Sequence, residues 1–225
     1  DTFQHLVMGK PPISPAAHAV EDSTELSSAV ASNPGSIGFT GLAYVRNNKA
    51  IAIDECGLKY PPTEFYVKTE EYPLSRRLYL YILPDRPQRI IDNMIDFWLA
   101  NSAQAAIADY GFVNLLPSIE TPALQIERLH FKMSDKNAKP EQVRRYIEAS
   151  TSMKRLSMTF RFRSRSRDLD NRSLRDVQRL VEFMNLSENR GRPFAIVGFA
   201  DSQGTRPANQ QLSQDRANAV ARILS

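Results

Sequence analysis

The chain is organised around Phe194-Ala195-Ile196-Val197-Gly198-Phe199, an apolar run that leads into the polar turn Ala200-Asp201-Ser202-Gln203-Gly204. A run of this length and composition is typical of a buried strand. Gly204 and the nearby Pro207 are residue types that end regular structure. Asn209 is then the expected N-cap of a helix that continues to Leu224. The sequence therefore predicts a strand, a loop and a helix in direct succession.

An arginine lies on the apolar face of this predicted helix. Arg216, Val220 and the pair Ile223 and Leu224 recur at three- and four-residue spacing, so they share one face. Arginine is rarely buried without a partner, and Asp201 stands at the end of the predicted strand. The two charges either pair with each other or remain available to a ligand with both an amine and a carboxylate. Spacing alone leaves both arrangements open.

A longer motif contains these two residues: Asp201, ten further residues, and then Leu212-Ser213-x-x-Arg216-Ala217-x-x-Val220. It resembles the core signature of the OmpA-like peptidoglycan-binding domain, over about residues 151–225. The resemblance implies that Asp201 takes the amine and Arg216 the carboxylate of the diaminopimelate side chain in the cell-wall stem peptide. It also implies that Asn209 lines the same site.

The first loop of this domain fits the family less closely. Ser164 and Arg165 fall where the resemblance predicts contacts with the stem peptide. Arg163, however, stands where the family tends to place an aspartate after the strand phenylalanine. We therefore expect Ser164 and Arg165 to belong to the site, with Asp201 and Arg216 as its principal pair.

The residues before the motif predict the remaining elements of the domain. A half-buried strand is expected from the alternation of apolar and polar residues at Leu156, Met158, Phe160 and Phe162. A helix preceded by Asp170 or Ser173 is expected from a single apolar face formed by Leu174, Val177, Leu180, Val181 and Met184. The order strand, helix, strand, helix is consistent with the family's βαβα-type sandwich. Because the family usually continues with a further strand and helix, we expect the domain to be incomplete after Leu224.

Residues 1–118 carry a second resemblance. Ser32–Tyr44, Glu71–Tyr81 and Gly111–Val113 resemble the later half of the periplasmic phosphate-binding (PstS-like) proteins of ABC importers. The resemblance implies a partial type II periplasmic-binding-protein lobe, with phosphate or another oxyanion as ligand and an ABC permease as partner. The family's Ser-Gly-Thr phosphate-binding turn would precede Asp1, so no phosphate ligand is assigned in this chain.

Two further expectations concern the first 150 residues. A helix from Pro87 has an apolar stripe that we expect to be core, formed by Ile90, Ile91, Met94, Ile95, Trp98 and Leu99. Residues 119–150 have mixed charge and weak periodicity, and we interpret them as a linker between domains. Within this linker, Leu124–Leu129 predicts a strand and Glu141–Glu148 a short helix.

A run of arginines suggests nucleic acid as an alternative ligand, because Arg161, Arg163, Arg165 and Arg167 accompany Phe160 and Phe162. The alternation places the rings and the arginines on opposite faces of the predicted strand. We therefore expect core phenylalanines and solvated arginines, and no nucleic-acid partner. An anionic cell-wall or lipid surface fits the basic residues better.

Composition excludes several other classes of function. The chain has 225 residues, of which 42% are hydrophobic and 24% charged, with a formal net charge of +4. Cys56 is the only cysteine, and the three histidines lack ligand spacing, so we expect neither a disulfide framework nor a metal site. No nucleophile has a recognisable catalytic base. We expect a protein that is not an enzyme and needs no cofactor.

Taken together, the sequence predicts an α/β (α+β) protein with domains at residues 1–118 and 151–225. The predicted function is non-catalytic binding of peptidoglycan, coupled to a solute-binding-like domain. The alternative is an oxyanion-binding component of an importer that is tethered to the cell wall. Both place the protein in the periplasm, at the cell wall or outer membrane. The polar N-terminus is not a signal peptide, and we expect a mature product or a fragment.

Overall fold

The computed structural model describes residues 3–9, 11–55, 58–83, 88–134, 140–163, 166, 168–200 and 204–224. The chain divides into two compact units. The first contains residues 1–116 and 120–153, and the second contains residues 117–119 and 154–225. Helices predominate and the sheet content is small, which is compatible with an α+β protein. Among the described residues, the only sheet is a two-stranded hairpin.

The first unit begins with a π-helical turn at Gln4–Met8 and contains helices α1 to α6. These are α1 (Ser23–Ala31), α2 (Glu64–Lys68), α3 (Gln88–Leu99), α4 (Asn101–Asp109), α5 (Pro122–Ser134) and α6 (Pro140–Thr151). The hairpin consists of β1 (Ile53–Glu55) and β2 (Leu58–Tyr60), which pair antiparallel. Asp22 and Ser23 are both residue types that favour an N-cap, and Asp22 caps α1: its Oδ1 accepts a hydrogen bond from the Glu25 amide at 2.8 Å.

Residues 37–45, an apolar stretch with two glycines whose composition predicts a strand, do not form one. This stretch is irregular and ends in a 3₁₀ turn at Leu42–Tyr44. The Asn48 side chain donates to the carbonyl oxygen of Ser27 at 2.9 Å and to that of Val45 at 3.1 Å. These side-chain bonds hold the end of the segment against α1 and satisfy backbone acceptors without a neighbouring strand.

Residues 119–150, which the sequence suggested were a linker, contain the two helices α5 and α6. The strand expected at Leu124–Leu129 is wrong, because these residues lie inside α5, which starts at Pro122. Arg128 on α5 forms a bidentate ion pair with Glu120, at 2.8 and 2.9 Å, and donates to the Tyr146 hydroxyl on α6 at 2.6 Å. Glu120 is only 3% exposed. These contacts make both helices part of the first unit, whereas the division into functional domains stays a prediction.

The apolar stripe of α3 is largely exposed, so its assignment to the core is wrong. Ile90 is 67% exposed, and Met94 and Trp98 are each nearly half exposed. The β-rich stretch Leu78–Leu83 is also exposed and extended, and no described strand pairs with it. Both stretches have the local sequence pattern of a buried element, but most of their apolar side chains are exposed to solvent.

The second unit is built from α7 (Asn171–Asn185), α8 (Arg206–Leu224) and extended segments. Asp170 caps α7, as predicted, through a 2.7 Å bond from the Ser173 amide to its Oδ1. The core contains Leu169, Val177 and Val220, with four half-buried apolar residues packed around it. These four are Phe160, Phe162, Ile196 and Leu224. The inward orientation predicted for the two phenylalanines is confirmed.

The helices of the predicted βαβα sandwich are present, but its strands do not form a ladder in the described residues. Residues 156–162 make only two isolated bridges, Ile119 with Leu156 and Phe162 with Leu169. The buried Ser173 hydroxyl accepts from the Arg161 amide at 2.7 Å and donates to the Arg161 carbonyl at 3.1 Å. Because the hydroxyl occupies the Arg161 amide, no neighbouring strand can accept from that group, whereas the Arg161 carbonyl also accepts from the Asp170 amide at 3.0 Å.

The buried face of α7 is also rotated from the predicted one. Val177 and Leu180 are buried as expected, but Leu174 is 55% exposed. The buried polar residues on this helix are Ser173, Asp176 and Arg179. Asp176 and Arg179 form an ion pair at 2.8 Å, which allows both charges to lie inside.

Candidate functional site

The segment at residues 193–200 lies directly against α8. Its residues alternate between half-buried and exposed: Ile196 and Gly198 face the protein, whereas Val197 and Phe199 are 60% and 66% exposed. The predicted buried strand is therefore an extended segment with one exposed face. A Cβ atom on Gly198 would lie 1.9 Å from the Ser213 carbonyl oxygen of α8. Only glycine permits this approach, which brings the Phe199 carbonyl next to Arg216.

The first turn of α8 starts earlier than the sequence predicts. The helix begins at Arg206, and the Asn209 amide donates to the Thr205 carbonyl at 3.0 Å. Asn209 is therefore inside the first helical turn and is not the N-cap. Gly204 has a φ of 97°, a backbone conformation that favours glycine, and it turns the chain into the helix. The half-buried Asn209 side chain lies beside this turn, with its Oδ1 3.6 Å from the position of a Gly204 Cβ.

Arg216 lies half-buried at the centre of α8, at the edge of the apolar face. Its Nη1 donates to the Phe199 carbonyl at 3.2 Å, and its Nε makes a longer contact of 3.5 Å with the Ser166 carbonyl. Its guanidinium carbon lies 5.2 Å from the centre of the Phe162 ring, a cation–π distance. Three segments therefore fix the position of this cation.

These contacts orient the Arg216 charge without neutralising it. Carbonyl oxygens and an aromatic face are uncharged partners, and no carboxylate pairs with Arg216 in the described part of the chain. An arginine has five N–H donors, and the two carbonyl contacts use one donor on Nε and one on Nη1. The second Nη1 hydrogen and both Nη2 hydrogens remain. A pair of parallel N–H groups of this kind matches the two oxygens of a carboxylate.

The predicted site residues divide into two groups. Arg216 and Asn209 both lie on α8, two turns apart, and both are half-buried. Asp201, Ser164 and Arg165 lie outside the described residues. Their roles remain predictions of the sequence. The described residues that flank them, Arg163, Ser166 and Ala200, belong to the two segments next to Arg216.

Three partners of Arg216 were not predicted as site residues. Phe162 carried a signal, because its alternation with arginines placed the ring on the inner face of its segment. Ser166 and Phe199 contribute only carbonyl oxygens. Backbone groups leave no signature in side-chain identity, so sequence reasoning had no means of finding them.

Metal binding and membrane spanning find no support in the described residues. They contain no group of three or more histidine, cysteine, aspartate or glutamate side chains placed to hold a metal ion. No described helix combines the length and the apolar composition needed to cross a membrane.

Comparisons with known proteins support one of the two resemblances. Neither the curated proteins nor the solved structures compared with this chain give a significant match. Nothing supports a phosphate-binding-protein likeness in residues 1–118. The OmpA family model matches residues 161–225, which include Phe162, Ser166, Phe199 and Arg216. Over these residues the chain contains an OmpA family domain, which is typical of cell-envelope proteins and indicates a peptidoglycan-binding family.

Proposed function

We propose that residues 161–225 bind peptidoglycan without catalysis, through the diaminopimelate of the stem peptide. The observation that carries the proposal is the state of Arg216: a half-buried guanidinium, held by two carbonyl oxygens and a ring, with no carboxylate partner in the described residues. A partly buried guanidinium with N–H groups still available favours the binding of an anionic partner. The family match supports peptidoglycan as the source of that partner.

The proposed mechanism is recognition of a zwitterion. The remaining N–H groups of Arg216 donate to the side-chain carboxylate of diaminopimelate, and Asp201 accepts from its ammonium group. Hydrogen bonds to charged groups contribute roughly 1.5–3 kcal/mol each. Two such contacts give modest affinity for one stem peptide. The repeating wall raises the effective affinity when several copies of the protein are held near it.

The proposed location is the periplasm, at the cell wall or outer membrane. This follows from the ligand, because peptidoglycan lies in that compartment. No observation on residues 1–116 favours phosphate binding or a permease partner, so the proposal does not extend to them. The described residues offer no catalytic constellation in support of an enzyme either.

The test is binding to isolated cell walls of two chemistries. The protein is mixed with diaminopimelate-type and with lysine-type sacculi, and the fraction that sediments is measured. Lysine keeps the side-chain amine but lacks the carboxylate, so we expect clearly weaker sedimentation with lysine-type walls. Arg216→Ala and Asp201→Ala are each expected to lower binding to diaminopimelate-type walls toward the lysine-type level.

Arg222→Ala is the matched control. Arg222 lies on the same helix and is exposed, with its Nε bonded to the Asn218 carbonyl at 3.3 Å. It removes the same charge from α8 without touching the proposed site, so it should sediment like the wild type. Equal loss of sedimentation in Arg216→Ala and Arg222→Ala would show that simple charge attraction, and not specific recognition, holds the protein to the wall.

A further inference from the structure

A cavity of about 420 Å³ lies in the second unit, between α7, α8 and the loop that follows Phe162. It is lined by Arg163, Asp168, Leu169, Leu174, Ala219 and Ile223. Its volume is within the range of small-ligand sites. None of these residues was assigned to the diaminopimelate contacts, and Arg216 is not part of the lining.

Two residues of the cavity lining, Ala219 and Ile223, lie on the face of α8 that contains Arg216. Arg216, Ala219 and Ile223 stand at positions i, i+3 and i+7, which share one helix face. At 1.5 Å per residue, Ile223 lies about 10 Å along the axis from Arg216. The loop that contains Arg163 also contacts Arg216. The Ser166 amide donates to the Arg163 carbonyl at 3.0 Å, and the Ser166 carbonyl accepts from Arg216.

Arg163 is a cation of the cavity lining that has no partner among the described residues. Arg163 is exposed, and its guanidinium donates to no acceptor in the described part of the chain. The neighbouring acid, Asp168, is engaged by Ser166, whose hydroxyl donates to its Oδ2 at 2.9 Å. Arg163 is therefore the group in this lining that remains available to an anion.

The other residues that line the cavity are mostly apolar and partly exposed to solvent. Leu174 is 55% exposed and Ile223 is 51% exposed, although both belong to the faces of α7 and α8 that meet at the cavity. Leu169 also lines the cavity and is buried. A ligand with small apolar groups would remove this surface from water. The cavity therefore suits a short segment that ends in a carboxylate and carries small apolar side chains.

A stem peptide contains such a segment. Beyond diaminopimelate it continues with alanine, which has a methyl side chain and, at the end of the chain, a free carboxylate. The two α-carbons of diaminopimelate are separated by three methylene groups, and each further residue adds up to about 3.6 Å. The terminal carboxylate therefore lies on the order of 10 Å from the carboxylate that Arg216 would hold. Arg163, which would bind it, belongs to the same loop as Ser166, whose carbonyl contacts Arg216.

We propose that this cavity is a second subsite for the alanine end of the same stem peptide. Arg163 binds the terminal carboxylate, and Leu169, Leu174, Ala219 and Ile223 contact the alanine methyl. The subsite rests on the proposed function, since Arg216 must first hold the diaminopimelate. It makes the domain selective for stem peptides that keep at least one alanine after diaminopimelate.

The test uses two soluble muropeptides in titration calorimetry: a tripeptide that ends at diaminopimelate and a tetrapeptide that ends in alanine. We expect the wild type to bind the tetrapeptide about tenfold more tightly. Arg163→Gln should bind the tetrapeptide only as tightly as the tripeptide, and its unchanged tripeptide affinity shows that the domain is folded. Arg175→Gln, an exposed arginine on α7 away from the cavity, should keep the tenfold preference.

The two proposals fail in different ways. Equal affinity of the wild type for both peptides, or a preference that survives in Arg163→Gln, would overturn the subsite and leave peptidoglycan binding in place. Binding of neither peptide by the wild type would overturn the proposed function, and the subsite with it.

Discussion

Two helices on which the sequence predicts an apolar face have opposite surroundings. The apolar stripe of α3 leaves Ile90 67% exposed, whereas that of α8 places Val220 in the core at 2%. The difference comes from other segments. Gly198 allows the segment at residues 193–200 to lie on α8, and Phe162 packs beside it, whereas α3 contacts α4 but keeps most of its apolar stripe exposed. Periodicity therefore predicts a helix and its apolar side, but not what covers that side.

The two units also differ in what they bury. The most buried side chains of the first unit are largely polar, with Gln104 at 0% and Glu120 at 3% exposed. The second unit buries an apolar cluster around Val220, together with the ion pair of Asp176 and Arg179. The second unit also buries Ser157, Ser173 and Asn189, so we expect the loss of a buried polar partner to be costly in either unit and changes of shape to be most costly around Val220.

The largest effect is expected from Glu120→Ala. This variant leaves the Arg128 guanidinium, whose side chain is 14% exposed, without its carboxylate. Removing one member of a buried pair costs about 3–5 kcal/mol of unfolding free energy. Urea unfolding followed by the fluorescence of Trp98, which lies in the same unit, measures it. Glu141→Ala is the control, because its pair with Arg145 is exposed, and it should change stability by less than about 0.5 kcal/mol.

A somewhat smaller effect is expected from Gly198→Ala. The added Cβ meets the backbone of α8 at Ser213, which no side-chain movement can relieve. Overpacking of this kind costs roughly 3 kcal/mol, measured by urea unfolding followed by circular dichroism. Gly204→Ala has space around its Cβ but a φ of 97°, so it should cost only about 1–2 kcal/mol. A smaller cost at Gly198 than at Gly204 would show that the segment does not lie against α8.

The smallest effects compare the two helices directly. Val220→Ala removes methyl groups from the core and should cost about 2 kcal/mol. Ile90→Ala on the exposed face of α3 should stay within about 0.5 kcal/mol. Thermal and urea unfolding of the two variants measure the contrast. A cost at Ile90 that equals the cost at Val220 would mean that the α3 face is covered in the folded protein.

The sequence predicted several helices and two of their caps correctly, but not the strands, the start of α8 or the helix α5. The caps Asp22 and Asp170 and the helices after them follow from local chemistry. Strand assignments at residues 37–45, 124–129 and 194–199 were not borne out, because a strand needs a partner that local composition does not reveal. The Ser173 hydroxyl is an example, since it accepts the Arg161 amide hydrogen that a neighbouring strand would otherwise accept.

For the site, the motif identified Arg216, whereas the structure supplied its surroundings. Its spacing placed the arginine at the edge of the apolar face, and the family match covers it. The carbonyls of Phe199 and Ser166 and the Phe162 ring hold its guanidinium. The register of these segments depends on tertiary packing, including the glycine contact at residue 198.

The most direct test of the central claim changes the ligand and not the protein. A diaminopimelate tripeptide with a free side-chain carboxylate is compared with the same peptide amidated at that carboxylate, by titration calorimetry against the wild type and Arg216→Ala. If Arg216 binds the carboxylate, the wild type should bind the free form roughly ten- to a hundredfold more tightly than the amidated form. Arg216→Ala should bind both forms equally weakly. Equal binding of both forms by the wild type, or a preference that persists in Arg216→Ala, would contradict the claim.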